Sequence, residues 1–439
     1  MYTLSKNLKT FALVLMVLGL VGIAYGFFSA PKTTADIEQI LNEQAHHGGG
    51  HQDAEHQGGH DSVSEADHDA HQKHLEHVLT QMQNKPWTAV YVACIFVMLV
   101  SLGILAFYGI NYAASAGWSP VLFRVMEGLT AYLLPGSIIF FLLLVASSMG
   151  GNHLFIWMDP AIVEHDSLIQ AKTGYLNIPF FLIRAVIFLG GWNLYRIYMR
   201  KQSLKLDATG DLTFHKKMFK ASAGFLAFFI VTESMASWDW IMSIDTHWYS
   251  TLFGWYVFAS FFVTGITTIA FATLYLKGKG YLEFVNTSHI HDLAKFMFGL
   301  SIFWTYLWFS QFMLQWYSNI PEEVTYFIFR IQEYNLPFFG MLVLNFVLPL
   351  LLLLNTDFKR LSWIVVMAGT CIIVGHYLDF YIMISPGTVG ASWFIGVTEI
   401  AALMFFIGLF IYVGFTAISK APLLAKNNPL IEESKHFHY

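Results

Sequence analysis

Ten apolar runs, each long enough to cross a bilayer, constrain the fold of this chain more than any other feature. They lie at residues 10–28, 89–112, 131–150, 178–199, 219–241, 252–276, 294–318, 338–354, 361–384 and 394–418. A helix needs about 20 mostly apolar residues to cross roughly 30 Å of hydrocarbon, and it satisfies its own backbone hydrogen bonds. The sequence therefore predicts an all-α integral membrane protein with ten transmembrane helices. The first run is longer than the core of a signal peptide, so we expect it to be retained.

The composition excludes several classes of function. Of the 439 residues, 56% are hydrophobic and only 12% are charged, which is typical of a membrane protein. No basic patch interleaved with aromatic residues points to nucleic acid. Cys94 and Cys371 fall inside predicted helices and form no CxxC motif. Since His376 is the only histidine well inside a predicted span, a haem held by two histidines is disfavoured, and we expect no covalently bound cofactor.

The basic residues predict the orientation of the chain. They concentrate in alternate loops, and the remaining loops hold only Lys32, Lys73, Lys85, Lys172 and Arg330. Because cytoplasmic loops carry the excess of lysine and arginine, this asymmetry predicts a multi-pass membrane protein with both termini in the cytoplasm. The outer loops are then acidic and aromatic, at residues 29–88, 151–177, 242–251, 319–337 and 385–393.

The first outer loop contains a histidine-rich stretch. Residues 46–77 hold nine of the 18 histidines, interleaved with acids, glycine and glutamine. This composition predicts a solvated, partly disordered loop. Histidine is also a common ligand of zinc, nickel and copper, so His68, His71, His74 and His77, spaced for one helical face, are an alternative weak metal site or proton buffer.

Ionisable residues inside the predicted helices fall on one side. Counted at about 1.5 Å per residue, the outer halves hold Arg184, Glu233, Asp239, His376, Asp379 and Glu399, whereas the inner halves hold little beyond Glu127, Lys295 and Asn111. A charge at the bilayer centre costs at least about 2.5–3.5 kcal/mol, and unpaired buried carboxyls can exchange protons near neutrality. The pattern predicts a proton path with Arg184 as counter-ion. The alternative is a set of static ion pairs.

Two further groups accompany this cluster. The outer loops add candidates for proton exit or for contact with partner proteins: His153, Asp159, His165, Asp166, Asp245, His247, Glu322 and Glu323. One face of the seventh span has aromatic and amide side chains at helical spacing, namely Trp304, Trp308, Gln311 and Gln315. These four could line a pocket for a flat ring, or they could simply pack between helices.

Four long motifs now carry a resemblance to a known family. They are KTGYLNIPFFLIRA (172–185), ESMASWDWIMSIDTHWYSTLFGWY (233–256), YLWFSQFMLQWYSNIPEEVTYF (306–327) and GHYLDFYIMISP (375–386). The chain resembles the membrane subunits of bacterial alternative complex III, which belong to the polysulfide-reductase (NrfD-like) membrane-anchor superfamily. The similarity covers nearly all of the chain except the histidine-rich loop, and it is stronger to the second of the two such subunits.

The resemblance implies an architecture and a set of partners. It implies a first helix (1–28), the histidine-rich loop (29–88), two four-helix bundles (89–241 and 242–384), and a last helix with a cytoplasmic tail (385–439). It also implies a quinol:cytochrome c or oxidase oxidoreductase complex. The partners would be a sister membrane subunit, an iron–sulfur subunit, multihaem and monohaem cytochromes c, a terminal oxidase and lipids, with menaquinone as the quinone. Haem c and iron–sulfur clusters would belong to the partners, so this chain would be a subunit of the enzyme without redox cofactors.

One departure from the family narrows the role of this chain. Quinol-binding relatives carry a histidine followed by an Arg-Pro-Trp pattern after the third helix, whereas this chain reads GGNHLFIWMDPAIVEHD (150–166). The departure favours scaffolding and proton conduction over quinol oxidation. Two rival hypotheses remain open: a cation-coupled secondary transporter, which should have broken helices near the midplane, and a purely structural anchor.

Overall fold

Every regular element in the described residues is a helix. The computed structural model describes residues 2–47 and 65–438, and within them ten helices are long and apolar enough to cross a membrane. They are α1 (Lys6–Ser29), α2 (Glu65–Ala113), α3 (Pro120–Ser148), α4 (Ile178–Thr209), α5 (Thr213–Trp240), α6 (Phe253–Gly278), α7 (Thr287–Ser318), α8 (Asn335–Leu353), α9 (Ser362–Val389) and α10 (Val397–Ser419). The predicted fold class, an all-α protein with ten spans, is confirmed.

The helices form two rings of four. Helices α2, α3, α4 and α5 contact one another in sequence and close through α5 and α2, and α6 to α9 close in the same way. Helix α2 joins the rings because it also packs on α6 and α9. In the most apolar 18-residue stretch of α2, 94% of the residues are buried, whereas in that of α1 the share is 22%. Helix α2 therefore lies at the centre and α1 at the periphery. We call the side that holds both termini the terminal side, and the other the far side.

Helices α1 and α10 form a close pair that packs on the first bundle. A Cβ atom added to any of three glycines on one face of α1 would overlap α10: Gly19 against Phe405, Gly22 against Ala401, and Gly26 against Thr398. Small residues at this spacing let helix backbones approach closely in a membrane. The pair packs on α2 and on α3, so the two outermost spans lie side by side.

The histidine-rich loop is more helical than expected. Helix α2 begins at Glu65 rather than near residue 89, and a second helix covers Thr34–His47. Residues 65–85 contain no glycine or proline, and Leu75 and Ile37 are both buried, so hydrophobic contact supports helices that the polar composition concealed. The structure thus has helix at residues 34–47 and from residue 65 onward, within the loop that the composition predicted to be partly disordered. Residues 48–64 lie outside the described part of the chain.

Short helices cover the connections on both sides. Pro160–His165, Ser167–Lys172 and Pro321–Glu333 lie on the far side, and Ile431–Lys435 lies in the tail. The tail packs onto the terminal side: Ser434 Oγ donates to the Trp118 backbone oxygen at 2.7 Å, and Asn286 Nδ2 donates to the Phe437 backbone oxygen at 2.6 Å. The tail therefore connects the start of α3 with the start of α7.

Candidate functional site

A buried ion pair joins α4 and α5 in the first bundle. Arg184 donates from Nε to Asp239 Oδ2 at 2.6 Å and from Nη2 to Oδ1 at 2.9 Å. Both side chains are buried, and the guanidinium lies 4.0 Å from the centre of the Tyr175 ring and 4.2 Å from that of Phe180. Bidentate pairing of this kind is strong and directional. Arg184 is thus the counter-ion of Asp239, and the two charges compensate each other.

Glu233 lies six residues before Asp239 on α5, and no cation of the described residues forms an ion pair with it. Its Oε2 accepts a hydrogen bond from Ser234 Oγ at 3.2 Å, and its buried Oε1 has no hydrogen-bond partner. Trp240 Nε1 is likewise buried without a partner, and both residues border the same small cavity between α2, α4, α5 and α6. The structure gives no hydrogen bond between Glu233 and Asp239, so these two predicted path residues are separate groups.

Asp379 is the centre of a polar cluster in the second bundle. It is completely buried and accepts hydrogen bonds from three neutral donors on two other helices. The Tyr256 hydroxyl donates to Oδ1, Ser260 Oγ to Oδ2 at 2.8 Å, and Trp304 Nε1 to Oδ2 at 2.9 Å. His376 Nδ1 lies 3.5 Å from Oδ2. In the described residues the partners of this carboxyl group are therefore three neutral donors and a histidine, in place of an arginine or a lysine.

Ser260 connects His376 to Asp379. Its hydroxyl has one hydrogen, which points to Asp379, so its lone pair accepts from His376 Nδ1 at 2.9 Å. A proton on Nδ1 leaves His376 Nε2 as the acceptor atom, and this buried nitrogen has no hydrogen-bond partner among the described residues. The arrangement is a continuous hydrogen-bonded row of His376, Ser260, Asp379 and Tyr256. Groups linked in this way can pass protons by exchanging donor and acceptor roles.

The row points towards a recess on the far side. Tyr256 lies in the first turn of α6, at the far-side end of that helix, and the Arg330 guanidinium lies 3.3 Å from the centre of the Tyr326 ring. Arg330 Nη1 is 3.9 Å from Asp245 Oδ2. Asp245, Tyr326 and Arg330 line a cavity of about 300 Å³ together with Pro386 and Gly387. This cavity places a partly exposed carboxylate between the buried cluster and the far side.

Glu399 does not join either cluster. Its carboxylate accepts from the backbone N–H of Gly396 at 2.8 Å and so caps the start of α10. Tyr377 contacts it only through the backbone, by donating to the Glu399 carbonyl oxygen at 3.3 Å. The sequence predicted one path through five ionisable groups. The structure divides them among three places: the Arg184–Asp239 pair with nearby Glu233, the His376–Asp379 cluster, and the cap of α10.

The far-side loops hold one cross-loop pair among the predicted residues. His247 Nε2 lies 2.5 Å from Asp166 Oδ2, and Lys172 donates to the Thr246 backbone oxygen nearby. Asp245 faces Arg330, as described above, and His153 contacts α2, while the rest have local partners or lie at a helix start. Asp159 caps the helix Pro160–His165, His165 contacts the Ala161 carbonyl oxygen, the backbone N–H of His153 donates to Asn84, and Glu322 and Glu323 lie in the first turn of Pro321–Glu333.

The charge state of Asp166 follows from this pair. The hydrogen bond from His247 and the backbone N–H groups of Ile169 and Leu168 hold the pKa of Asp166 below its usual value. Burial and desolvation lower the pKa of Lys172. The loop between α3 and α4 is therefore tied to the loop between α5 and α6 by a carboxylate that stays ionised over the whole neutral range.

The four residues of α7 that were predicted to line a flat-ring pocket lie against other parts of the protein. Trp304 is fully buried and donates to Asp379, and Gln315 accepts from Trp248 Nε1 at 3.2 Å. Trp308 stacks on Phe312, with ring centres 5.7 Å apart. Trp304, Trp308 and Gln315 thus contact other side chains of the protein, and Gln311 is buried on the same helix. Packing between helices accounts for these contacts, and the flat-ring pocket stays a prediction.

A second buried charge network lies on the terminal side of the first bundle. Glu127 Oε2 accepts from Arg124 at 2.7 Å and from Arg200 at 2.5 Å, while Oε1 accepts from Ser203 at 2.6 Å and Tyr108 at 2.9 Å. The sequence analysis undervalued this half of the membrane, because arginines near a span boundary were assigned to loops. Arg124 and Arg200 instead turn inward, and Arg124 also reaches Asp207 at 2.5 Å.

The histidine-rich segment is only partly described. The side chain of His68 lies outside the described residues. His77 Nε2 lies 2.8 Å from Gln81 Nε2, and His71 Nε2 lies 3.8 Å from Glu38 Oε1. His74 is exposed. Among the described residues no three His, Cys, Asp or Glu side chains are grouped so that they could hold a metal ion.

Sequence reasoning missed the partners that define the second cluster. Tyr256 and Ser260 are four residues apart in an apolar helix, and this spacing on one face was the available signal. Arg330 was read only as a loop charge. Comparison with protein-family models gave no match to this chain, and comparison with curated proteins gave none either.

Proposed function

We propose that this chain is a membrane subunit of a quinol-oxidising respiratory complex of the alternative complex III type, in which it anchors the assembly and conducts protons through its second bundle. The four sequence motifs support the kinship, and they contain Arg184, Asp239, Tyr256, Tyr326 and Asp379. Iron–sulfur clusters and haems c would reside in partner subunits on the far side, which would be the outer face of a bacterial inner membrane.

The single observation that carries the proton-conducting role is the environment of Asp379. Its hydrogen-bond donors are hydroxyl and indole groups, so protonating it leaves no cation unpaired in the hydrocarbon layer. His376, linked through Ser260, supplies a second group that can hold a proton. Functional sites commonly place such groups in a buried, low-dielectric setting.

The proposed direction of transfer is towards the far side. A proton would move along His376, Ser260, Asp379 and Tyr256, and would leave through Asp245 in the recess beside Arg330. This path is narrower than the one that the sequence suggested. Asp239 would be a structural partner of Arg184, and Glu399 would be a helix cap.

Asp379→Asn in the intact complex tests the proposal. The exchange keeps an acceptor oxygen but removes the proton-binding carboxyl group, so quinol:cytochrome c turnover should fall about tenfold, which corresponds to about 1.4 kcal/mol in the barrier. Asp357→Asn, on an exposed terminal-side loop, is the matched control and should leave turnover unchanged. Proton release per electron in liposomes should fall only in the first variant. Equal turnover and equal proton release in both variants would refute the path.

A structural anchor is the second candidate, because the Arg184–Asp239 pair and the Glu127 network are compensated ion pairs of the kind that hold helices together. Purification in mild detergent distinguishes the proton-conducting subunit and the structural anchor from a cation-coupled transporter. Co-migration with haem-containing subunits supports either form of the complex, whereas a free chain that binds cations supports a transporter. Labelling of cysteines introduced at each loop tests the proposed cytoplasmic position of the termini.

A further inference from the structure

A narrow apolar crevice separates the α1–α10 pair from the two bundles. Its volume is about 290 Å³, and its walls come from α1, α2, α3, α6, α9 and α10. Its lining includes Leu8, Phe96, Thr264, Thr268, Tyr275 and Ile373. The crevice is distinct from the polar clusters described above, and it is embedded among helices that cross the membrane.

The walls of the crevice offer almost nothing polar to a ligand. Its two threonines bond to their own helix: Thr264 Oγ1 donates to the Ser260 backbone oxygen and Thr268 Oγ1 to that of Thr264, both at 2.8 Å. Apolar cavities of about 150 Å³ stay dry and accept a ligand as small as benzene. A larger cavity of the same character in a membrane protein therefore suits a hydrocarbon chain better than water.

The length and direction of the crevice fit one acyl chain. On α6 it extends from Thr264, at the middle of the helix, to Tyr275 near its terminal-side end. Eleven residues at about 1.5 Å each give roughly 16 Å, which is about half of a 30 Å hydrocarbon layer. Phe96 and Ile373 line the deep part, and Leu8 lines the terminal-side part, so the crevice spans one leaflet along the membrane normal.

The terminal-side mouth has the charge that a phospholipid headgroup requires. Lys279 is exposed, and its Nζ lies 6.0 Å from the centre of the Tyr275 ring. Tyr281 packs edge-on against Tyr2, with ring centres 5.0 Å apart. Tyrosine side chains are typical of the membrane interface, and a lysine at that level attracts lipid phosphate.

We propose that the crevice is a specific lipid site that holds one acyl chain of a phospholipid from the terminal-side leaflet, with the phosphate beside Lys279. The lipid completes the packing between the α1–α10 pair and the bundles. This inference does not depend on the proposed respiratory function.

Native mass spectrometry of the full chain, released from bilayers that contain phosphatidylglycerol, tests the site. The unaltered chain should retain one phospholipid. Ala272→Phe fills the crevice and should lower the retained fraction at least fivefold. Val231→Phe adds the same ring to an exposed position on α5, 56% accessible, and should change nothing. Lys279→Gln should lower retention by a smaller factor, because it removes only the headgroup contact.

Thr268→Leu provides a second way to fill the crevice if the Ala272→Phe chain does not fold. Equal phospholipid retention in the unaltered chain and in the filled variants would overturn the site. Retention of an isoprenoid quinone in place of a phospholipid, lost in the same variants, would overturn the identity of the ligand.

Discussion

In the first bundle Asp239 and Glu127 lie against arginine guanidinium groups, whereas in the second bundle Asp379 lies against a tyrosine, a serine, a tryptophan and a histidine. All three carboxyl groups are buried. An arginine fixes its partner in the ionised form, since a proton on the carboxyl would strand the cation. Neutral donors impose no such requirement. The difference suggests that the first bundle provides rigid attachment between helices and that the second can change its protonation.

The largest effect on stability is expected when the cation of the first bundle is removed. Arg184→Met keeps much of the side-chain volume but leaves Asp239 charged and unpaired, which should lower the free energy of unfolding by about 3–5 kcal/mol. Unfolding in detergent micelles measures this loss. Arg184→Met combined with Asp239→Leu should recover most of it. A double variant as unstable as the single one would show that packing, and not charge, is responsible.

A smaller loss is expected at the centre of the second bundle. Asp379→Asn keeps an oxygen that accepts hydrogen bonds from Ser260 and Trp304, so the free energy of unfolding should fall by less than about 2 kcal/mol. The same micelle assay allows direct comparison with Arg184→Met. If Asp379→Asn and Arg184→Met were equally unstable, the proposed difference between a charge-paired first bundle and a neutral-donor second bundle would be refuted.

The hydroxyl of Tyr256 should matter less for stability than for transport. Tyr256→Phe removes one neutral hydrogen bond, which corresponds to about 1 kcal/mol, but it interrupts the row between Asp379 and the far-side recess. Turnover of the complex should slow several-fold while its subunit composition stays the same. Tyr306→Phe, on an exposed face of the same bundle, is the control, and equal rates in both variants would exclude Tyr256 from the path.

The smallest effect is expected at the far-side loops, as a dependence on pH. The folded pKa of Asp166 is lower than that of an unfolded aspartate, about 3.9, so its stabilising contact is complete above that pH and is lost as the pH falls towards the lowered value. Amide exchange of residues 160–172, corrected for intrinsic rates, should show loop opening on acidification. His247→Gln should reduce this acid dependence. His165→Gln, whose side chain contacts only its own helix, should retain it.

The sequence allowed the fold to be predicted because each span has its own signal. Apolar length fixes a transmembrane helix locally, and most predicted spans match the structure within a few residues. The start of α2 was missed because residues 65–85 are mostly polar, and composition does not reveal that Leu75 and Ile37 are buried. Their burial depends on contact between the helix Thr34–His47 and α2. A local reading of hydrophobicity along the sequence cannot detect such a contact.

The composition of the site was predictable only in part. Depth alone identified Arg184, Asp239, His376 and Asp379 as buried ionisable residues, but it could not say which of them meet. Glu399 lies at the far-side end of α10, where it caps that helix, whereas Asp379 lies ten residues inside the far-side end of α9. Tyr256 and Ser260 carry no charge, so a search for ionisable residues passed over the hydroxyls that connect His376 to Asp379.

The glycine face of α1 has a consequence for biosynthesis. Its partner, α10, begins at Val397, so α1 enters the membrane long before that helix exists. At about 5–20 residues per second, the ribosome needs on the order of 20 to 70 s to make the intervening chain. During that interval Gly19, Gly22 and Gly26 face lipid. The packing of α1 can be completed only after α10 has been inserted. A product truncated before α10 would leave the glycine face of α1 without its partner helix, where membrane quality control could recognise it.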